Sequence, residues 1–196
     1  METPQLAESE IPTQPREKKE SWTRFFLDLL ETIVLSIALF LGINALTARV
    51  LVEGNSMHPT LENHQRLIVN KLAYKSDLPE RGDIVVFHFP IDPDQDFIKR
   101  VIGLPGDNIE IDSGEVRVNG EVLIEPYIAS TPSYVGAWHV PDNQLFVLGD
   151  NRNNSSDSHV WGTVPIESLI GKTLLIYWPP SDWALIEHIQ FAIDAP

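Results

Sequence analysis

EVRVNGEVLI, residues 115–124, is a pair of short alternating apolar runs joined by Asn119-Gly120. Both central residues of a two-residue hairpin turn need positive φ, which Asn-Gly tolerates best, so the stretch predicts an antiparallel hairpin with a type I′ turn. Similar runs lie on either side: RLIVNK (66–71), DIVVFHF (83–89), FIKRVIG (97–103), NIEI (108–111), QLFVLG (144–149) and TLLIYW (173–178). Each is rich in Val, Ile, Leu or Phe and most are bounded by Gly, Pro, Asn or Asp, the pattern of short strands. Pro105-Gly106 in GLPGD predicts a type II turn. No convincing amphipathic helix separates the runs and no internal repeat is present, which argues against a parallel α/β sheet. The expectation is a mainly β fold: an antiparallel sheet body with a small β-ribbon accessory region at about 108–143.

Upstream, TIVLSIALFLGINALTA (32–48) carries no formal charge, and its apolar neighbours FFLDLL or VLV extend it to the roughly 20 residues a membrane-spanning helix needs. The apolar groups run all round the segment, unlike the single stripe of a helix packed on a core. It exceeds the apolar run of a cleaved signal peptide, and its best small-x-small site, Ala45-Leu46-Thr47, puts Thr at the cut, so an uncleaved anchor is favoured. Residues 25–48 are therefore expected as one N-terminal transmembrane helix, with 49–196 forming the β domain beyond it. Residues 1–24 are expected as a disordered cytoplasmic tail, since 1–21 are Pro-, Glu- and Lys-rich with few large apolar groups. Arg16, Lys18, Lys19 and Arg24 precede the span and only Arg49 closely follows it, which by the positive-inside tendency places the N-terminus in the cytoplasm.

The formal net charge of −14 excludes a nucleic-acid binder, because neutralising phosphates takes an excess of Lys and Arg. With no cysteine, disulfides, thiolate metal sites and a cysteine nucleophile are excluded as well.

Three stretches carry candidate chemistry. GNSMHPTL (54–61) sets Ser56 in a turn-rich segment, but His58 stands where a Gly-x-Ser-x-Gly elbow needs its second glycine. A serine nucleophile needs a base, which could be a histidine (His58, His64, His88, His139 or His159) or a buried lysine. In FIKRVIGLPGD, alternation puts Phe97, Lys99 and Val101 on one strand face and Ile98, Arg100 and Ile102 on the other, so one cation shares an apolar face whichever face is buried. Of the two, only Lys99 can become a neutral amine near neutral pH; the competing picture is a lysine on the solvent face of an edge strand. GDNRNNSSDSHVWG (149–162) reads as a loop that bonds its own backbone. Arg152 occupies a place where a calcium loop needs an oxygen ligand, so no metal is expected.

Taken together and in this order behind an apolar span, GNSMHPTL, RGDIVVF (81–87), FIKRVIGLPGD and GDNRNNSSDSHVWG resemble the successive boxes of the type I signal peptidases, with wording most similar to the cyanobacterial and chloroplast branch. The resemblance implies an all-β Ser–Lys endopeptidase, without cofactor or metal, that removes signal peptides from exported preproteins at the outer face of a bilayer. It implies Ser56 as nucleophile and Lys99 as general base, with the Ser56 backbone N–H donating to the oxyanion. Ser155 would orient the lysine, Asp157, Arg152 and Asp150 would support the site, and Met57 would line a pocket for the small residues before the cleavage point. Two positions depart from the pattern: Gly54 stands where some members carry an oxyanion-hole serine, and His159 where many carry Arg. The implied location is the cell inner or thylakoid membrane, with the catalytic domain periplasmic or lumenal. A self-cleaving repressor-type protease leaves the anchor unexplained; a non-enzymatic, membrane-tethered β module is the alternative from another class.

Overall fold

The structure, a computed structural model, describes residues 22–189, and the chain divides into two compact units after Leu41. The first unit holds most of α1 (Trp22–Leu46), a helix of 25 residues with none buried. At 1.5 Å per residue it is about 37 Å long, enough to cross an apolar layer of about 30 Å. Two of its hydroxyls are turned inward to the helix backbone, Thr32 donating to the Asp28 carbonyl at 2.8 Å and Ser36 to that of Thr32 at 2.7 Å. Such back-bonding keeps polar groups off an apolar surface. The tail expected at residues 1–24 lies outside the described residues up to residue 21, while Trp22, Thr23 and Arg24 are helical.

The second unit is built of antiparallel strands: β1 (Thr47–Leu51), β2 (Arg66–Asn70), β3 (Ile84–His88), β4 (Asp96–Gly103), β5 (Asn108–Asp112), β6 (Glu115–Val118), β7 (Glu121–Val122), β8 (Gly136–His139), β9 (Gln144–Leu148), β10 (Val164–Pro165), β11 (Leu169–Trp178) and β12 (Ala184–Leu185). Two short helices, α2 (Ala73–Ser76) and α3 (Ser158–Trp161), interrupt them. The larger sheet runs β1-β2-β11-β3-β4-β9-β10, with β12 on β11; the smaller runs β7-β6-β5-β8. The expected end of the helix at 48 is corrected. Thr47 and Ala48 already pair with Asn70 and Val69, because the alternating TARVL can bond to β2 and lay Ala48 and Val50 on the core.

The hairpin at 115–124 forms as its turn chemistry dictates, with φ of 53° at Asn119 and 89° at Gly120 and Val118 paired to Glu121. The GLPGD turn closes through Asp107 N–H to the Leu104 carbonyl at 3.0 Å. The Asp107 carboxylate then accepts from the Leu104 N–H at 2.6 Å, from Arg81 at 3.0 Å and from the Asn119 amide at 2.8 Å, tying the small sheet to the end of β4. Gly103 is fixed by packing, since a Cβ there would lie 2.9 Å from Ile109, Val140 and Phe146.

β4 lies between β3 and β9 from Arg100 onward, its residues from Ile98 to Gly103 are buried, and Lys99 and Arg100 are 4% and 1% exposed. One core cluster gathers Met57, Leu67, Ile84, Val86 and Ile98; another gathers Val85, Phe87, Val101, Leu145 and Val147. Both cations of the strand are therefore in the interior, where a charge must be paired or shed.

Candidate active site

The register of β4 against β3 places Lys99 opposite Val85 and Arg100 opposite Ile84. The turn after β1 carries Ser56 back over the sheet, anchored by Leu61 N–H to the Met57 carbonyl at 2.9 Å and by Thr60 Oγ1 to Asp150 at 2.5 Å. Lys99 Nζ comes within 2.8 Å of Ser56 Oγ, its only other hydrogen bond among the described residues running 3.0 Å to the Ile98 carbonyl. Burial lowers the lysine pKa from the usual 10.5 to about 8, against an opposing pull from Asp157 and Asp150. A neutral amine facing a hydroxyl at this distance can accept its proton.

The pair opens on a groove of about 670 Å³ lined by Val52, Ser56, Met57, Ile98, Lys99 and Ser156, among others. Met57, one of these lining residues, is 2% exposed and also packs in the core with Leu67 and Ile98. A cavity of similar size, about 700 Å³, lies beside Tyr74, Asp142, Glu167 and Ile170 but holds neither serine nor buried lysine, so volume alone does not locate the chemistry.

The fold thus brings a serine and a desolvated lysine together from segments 43 residues apart. The model of the family described as "Signal peptidase, peptidase S26" matches residues 26–178. The chain belongs to this family. It is 43% identical over 182 residues to a probable signal peptidase I-2 of Synechocystis sp., covering 89% of this chain and 83% of that protein. Identity is also 43% over 178 residues to signal peptidase I of Leptolyngbya laminosa, covering 86% and 87%. It is 38% over 141 residues to the chloroplastic thylakoidal processing peptidase 1 of Arabidopsis thaliana, covering 66% of this chain and 42% of that protein. The likeness to the cyanobacterial and chloroplast branch read from the Asn-rich loop is thus present along most of the chain.

Within this signal peptidase family member, the loop after β9 borders the Ser56–Lys99 pair. Gly149 has no room for a side chain: a Cβ would lie 2.2 Å from Ser155 Oγ and 2.4 Å from the Ser56 carbonyl oxygen. Asp157 is fully buried and accepts from the Gly149 N–H at 2.9 Å and from His159 Nδ1 at 2.6 Å, while the His159 ring stacks on Tyr134 at 3.8 Å. Asp150 takes a two-pronged contact from Arg100, at 2.8 Å and 2.6 Å. Arg152 donates to the Gly149 carbonyl at 3.1 Å and forks onto Glu125. Ser155 departs from expectation. Its Oγ is buried without a hydrogen-bond partner among the described residues, and the lysine's second bond goes to the backbone at Ile98 instead. The hydroxyl lies against Gly149, with the Ser56 carbonyl as the next nearest neighbour of that glycine, so it borders the site without holding the amine.

Sequence reasoning missed four participants. Arg100 was set aside as the cation that cannot be a base, yet it is the partner of Asp150. Glu125 and Tyr127, from the irregular stretch after β7, enclose Arg152, and the Arg100 guanidinium lies 4.0 Å over the Tyr127 ring. Thr60 links Asp150 to the turn that carries Ser56. Only Arg100 left a signal, its place on an otherwise apolar strand face. Among the described residues no three His, Asp or Glu side chains are grouped to hold a metal ion.

Proposed function

We propose that this protein is a membrane-anchored serine endopeptidase that removes N-terminal signal peptides from exported preproteins through a Ser56–Lys99 dyad and an acyl-enzyme. The observation carrying this reading is the 2.8 Å contact between Ser56 Oγ and the amine of a lysine that is 4% exposed. Lys99 takes the Ser56 proton as Oγ bonds to the scissile carbonyl carbon. The tetrahedral adduct collapses, the peptide C–N bond breaks, and the ammonium returns its proton to the departing amine. The same amine then deprotonates a water that releases the acyl group. The Ser56 backbone N–H is the oxyanion donor. Asp150, Arg152 and Asp157 hold the loop that encloses the pair.

The substrate binds extended. β9 pairs with β4 only from Arg100 onward, and among the described residues no strand occupies that side of β4 between Asp96 and Lys99. That free edge borders the groove and suits an added strand, whose backbone bonds supply affinity while Met57 and Ile98 leave space for small side chains. α1 is the single membrane span, its basic N-terminal flank cytoplasmic and the catalytic domain periplasmic or lumenal, in the inner or thylakoid membrane. The alternative, a non-enzymatic β module, gives no account of a desolvated lysine facing a serine. Purified full-length protein in detergent should cleave a preprotein after a small residue, and Ser56→Ala should abolish it. No cleavage by folded wild-type protein would favour the binding module.

A further inference from the structure

Acyl transfer at Ser56 drives negative charge onto the substrate carbonyl oxygen, and a donor aimed at that oxygen is one of the largest contributions a protease can make. Gly54 supplies no side-chain donor, and its φ of 86° makes a larger residue there strained. The burden falls on the Ser56 N–H, one end of the peptide joining Asn55 to Ser56. The other end of that peptide, the Asn55 carbonyl, accepts from Asn151 Nδ2 at 3.0 Å and, more weakly, from the His58 N–H of its own turn at 3.2 Å. Asn151 also donates its backbone N–H to the Ser56 carbonyl at 3.0 Å. One residue thus brackets Ser56 from both sides. A trans peptide is planar, with its C=O and N–H pointing in opposite directions, so fixing the Asn55 carbonyl fixes the direction of the Ser56 N–H. A hydrogen bond accepted at the oxygen also polarises the amide and strengthens the N–H as a donor.

We propose that Asn151 is a positioning residue for the reaction, its side-chain amide setting the aim and donor strength of the Ser56 N–H toward the oxyanion. The proposal rests on Ser56 being the nucleophile. Asn151 is reached from the dyad only through the backbone, so its loss leaves the Ser56–Lys99 contact and the groove in place.

The test uses the full chain in detergent, with a preprotein as substrate. Two probes derive from one signal-peptide sequence: an aldehyde, which adds Ser56 Oγ to its carbonyl as a hemiacetal, and the corresponding alcohol, which binds without a covalent step. Asn151→Asp keeps the side-chain shape and the backbone bond but cannot donate to the Asn55 carbonyl; Asn151→Ala removes the amide without adding charge. Both variants should lower kcat about 10-fold to 100-fold, below the range for deleting a direct oxyanion donor, with KM little changed. Aldehyde affinity should fall by the same factor as kcat while alcohol affinity holds. In Asn151→Ala the acid limb of the pH profile should stay near pH 8, because Lys99 is untouched. Unchanged kcat in either folded variant, or equal losses for aldehyde and alcohol, would overturn the proposal. Wild-type protein that neither cleaves the preprotein nor binds the aldehyde would overturn the protease reading and this proposal with it.

Discussion

Lys99 and Arg100 are neighbours on one strand, equally removed from water, and the interior treats them in opposite ways. Arg100 meets a carboxylate in two-pronged contact, donates to the Gly82 carbonyl at 2.9 Å and lies over an aromatic ring. Arg152, from the next loop, is satisfied in the same fashion by Glu125, Gly149 and Tyr127. Lys99 meets no carboxylate within salt-bridge distance among the described residues; a hydroxyl, one carbonyl and the Phe97 ring, whose centre is 5.2 Å from Nζ, are its polar and aromatic contacts there. A buried guanidinium keeps its charge and has to be paired, which makes it a brace. An ammonium left without an anion gives up its proton more readily, as the lowering of the Lys99 pKa to about 8 reflects, which is what the proposed role of base requires. In the proposed mechanism reactivity is what incomplete compensation leaves, and the fully compensated arginines hold it still.

The largest consequence concerns the base. Lys99→Arg should lose at least about 1000-fold in kcat, nearly as much as Lys99→Ala, since guanidinium cannot take the serine proton. Substantial turnover would return the role of base to a histidine. Next comes the brace: Asp150→Ala strands the Arg100 charge in the core and should cost about 3–5 kcal/mol, read as a large fall in Tm. A variant as stable as wild type would show that the pair is not the support it resembles.

Removing the uncompensated cation should do the reverse. The unfolded chain binds more protons than the folded one between pH 8 and 10.5, so stability rises with pH across that interval and the penalty is complete below about pH 8. A displacement of this size corresponds to about 3 kcal/mol. Lys99→Met keeps the apolar stem and should be inactive yet at least as stable as wild type at pH 7, with its advantage shrinking toward pH 10; a lower Tm at pH 7 would mean a charged, well-paired lysine. The smallest effect belongs to Ser155. Because its hydroxyl has no hydrogen-bond partner among the described residues, Ser155→Ala should leave Tm unchanged and lower kcat by only about 10-fold. A loss of 1000-fold would make Ser155 the lysine's partner during turnover, and Lys99 less sparsely held than it stands here.

The sheet was legible because its strands advertise themselves locally: EVRVNGEVLI and FIKRVIGLPGD carry alternation and turn residues within a few positions. β1 was hidden because TARVL continues an apolar run that already reads as helix, and only pairing with β2 separates the two. β8 was hidden because GAWH has too little strand propensity to stand without β5. The serine and lysine were legible through the resemblance of their boxes and, for Lys99, through a cation on an apolar strand. The same resemblance named Asp150, Arg152 and Asp157 as supports, but not their partners, since Arg100 lies 50 residues from Asp150 and Glu125 27 from Arg152, each an ordinary charged residue until the fold closes. Ser155 shows the opposite limit: a motif can bring a hydroxyl to the right place without fixing the bond it makes.

The central claim is that burial brings the Lys99 amine within reach of deprotonation, so that it loses its proton near pH 8 instead of near 10.5. Full-length protein labelled with ¹³C at the lysine Cε, titrated by NMR with the Lys99 signal assigned by its loss in Lys99→Met, reads this directly. A midpoint of about 8 is the predicted result, whereas a lysine titrating at its usual 10.5 would contradict the account.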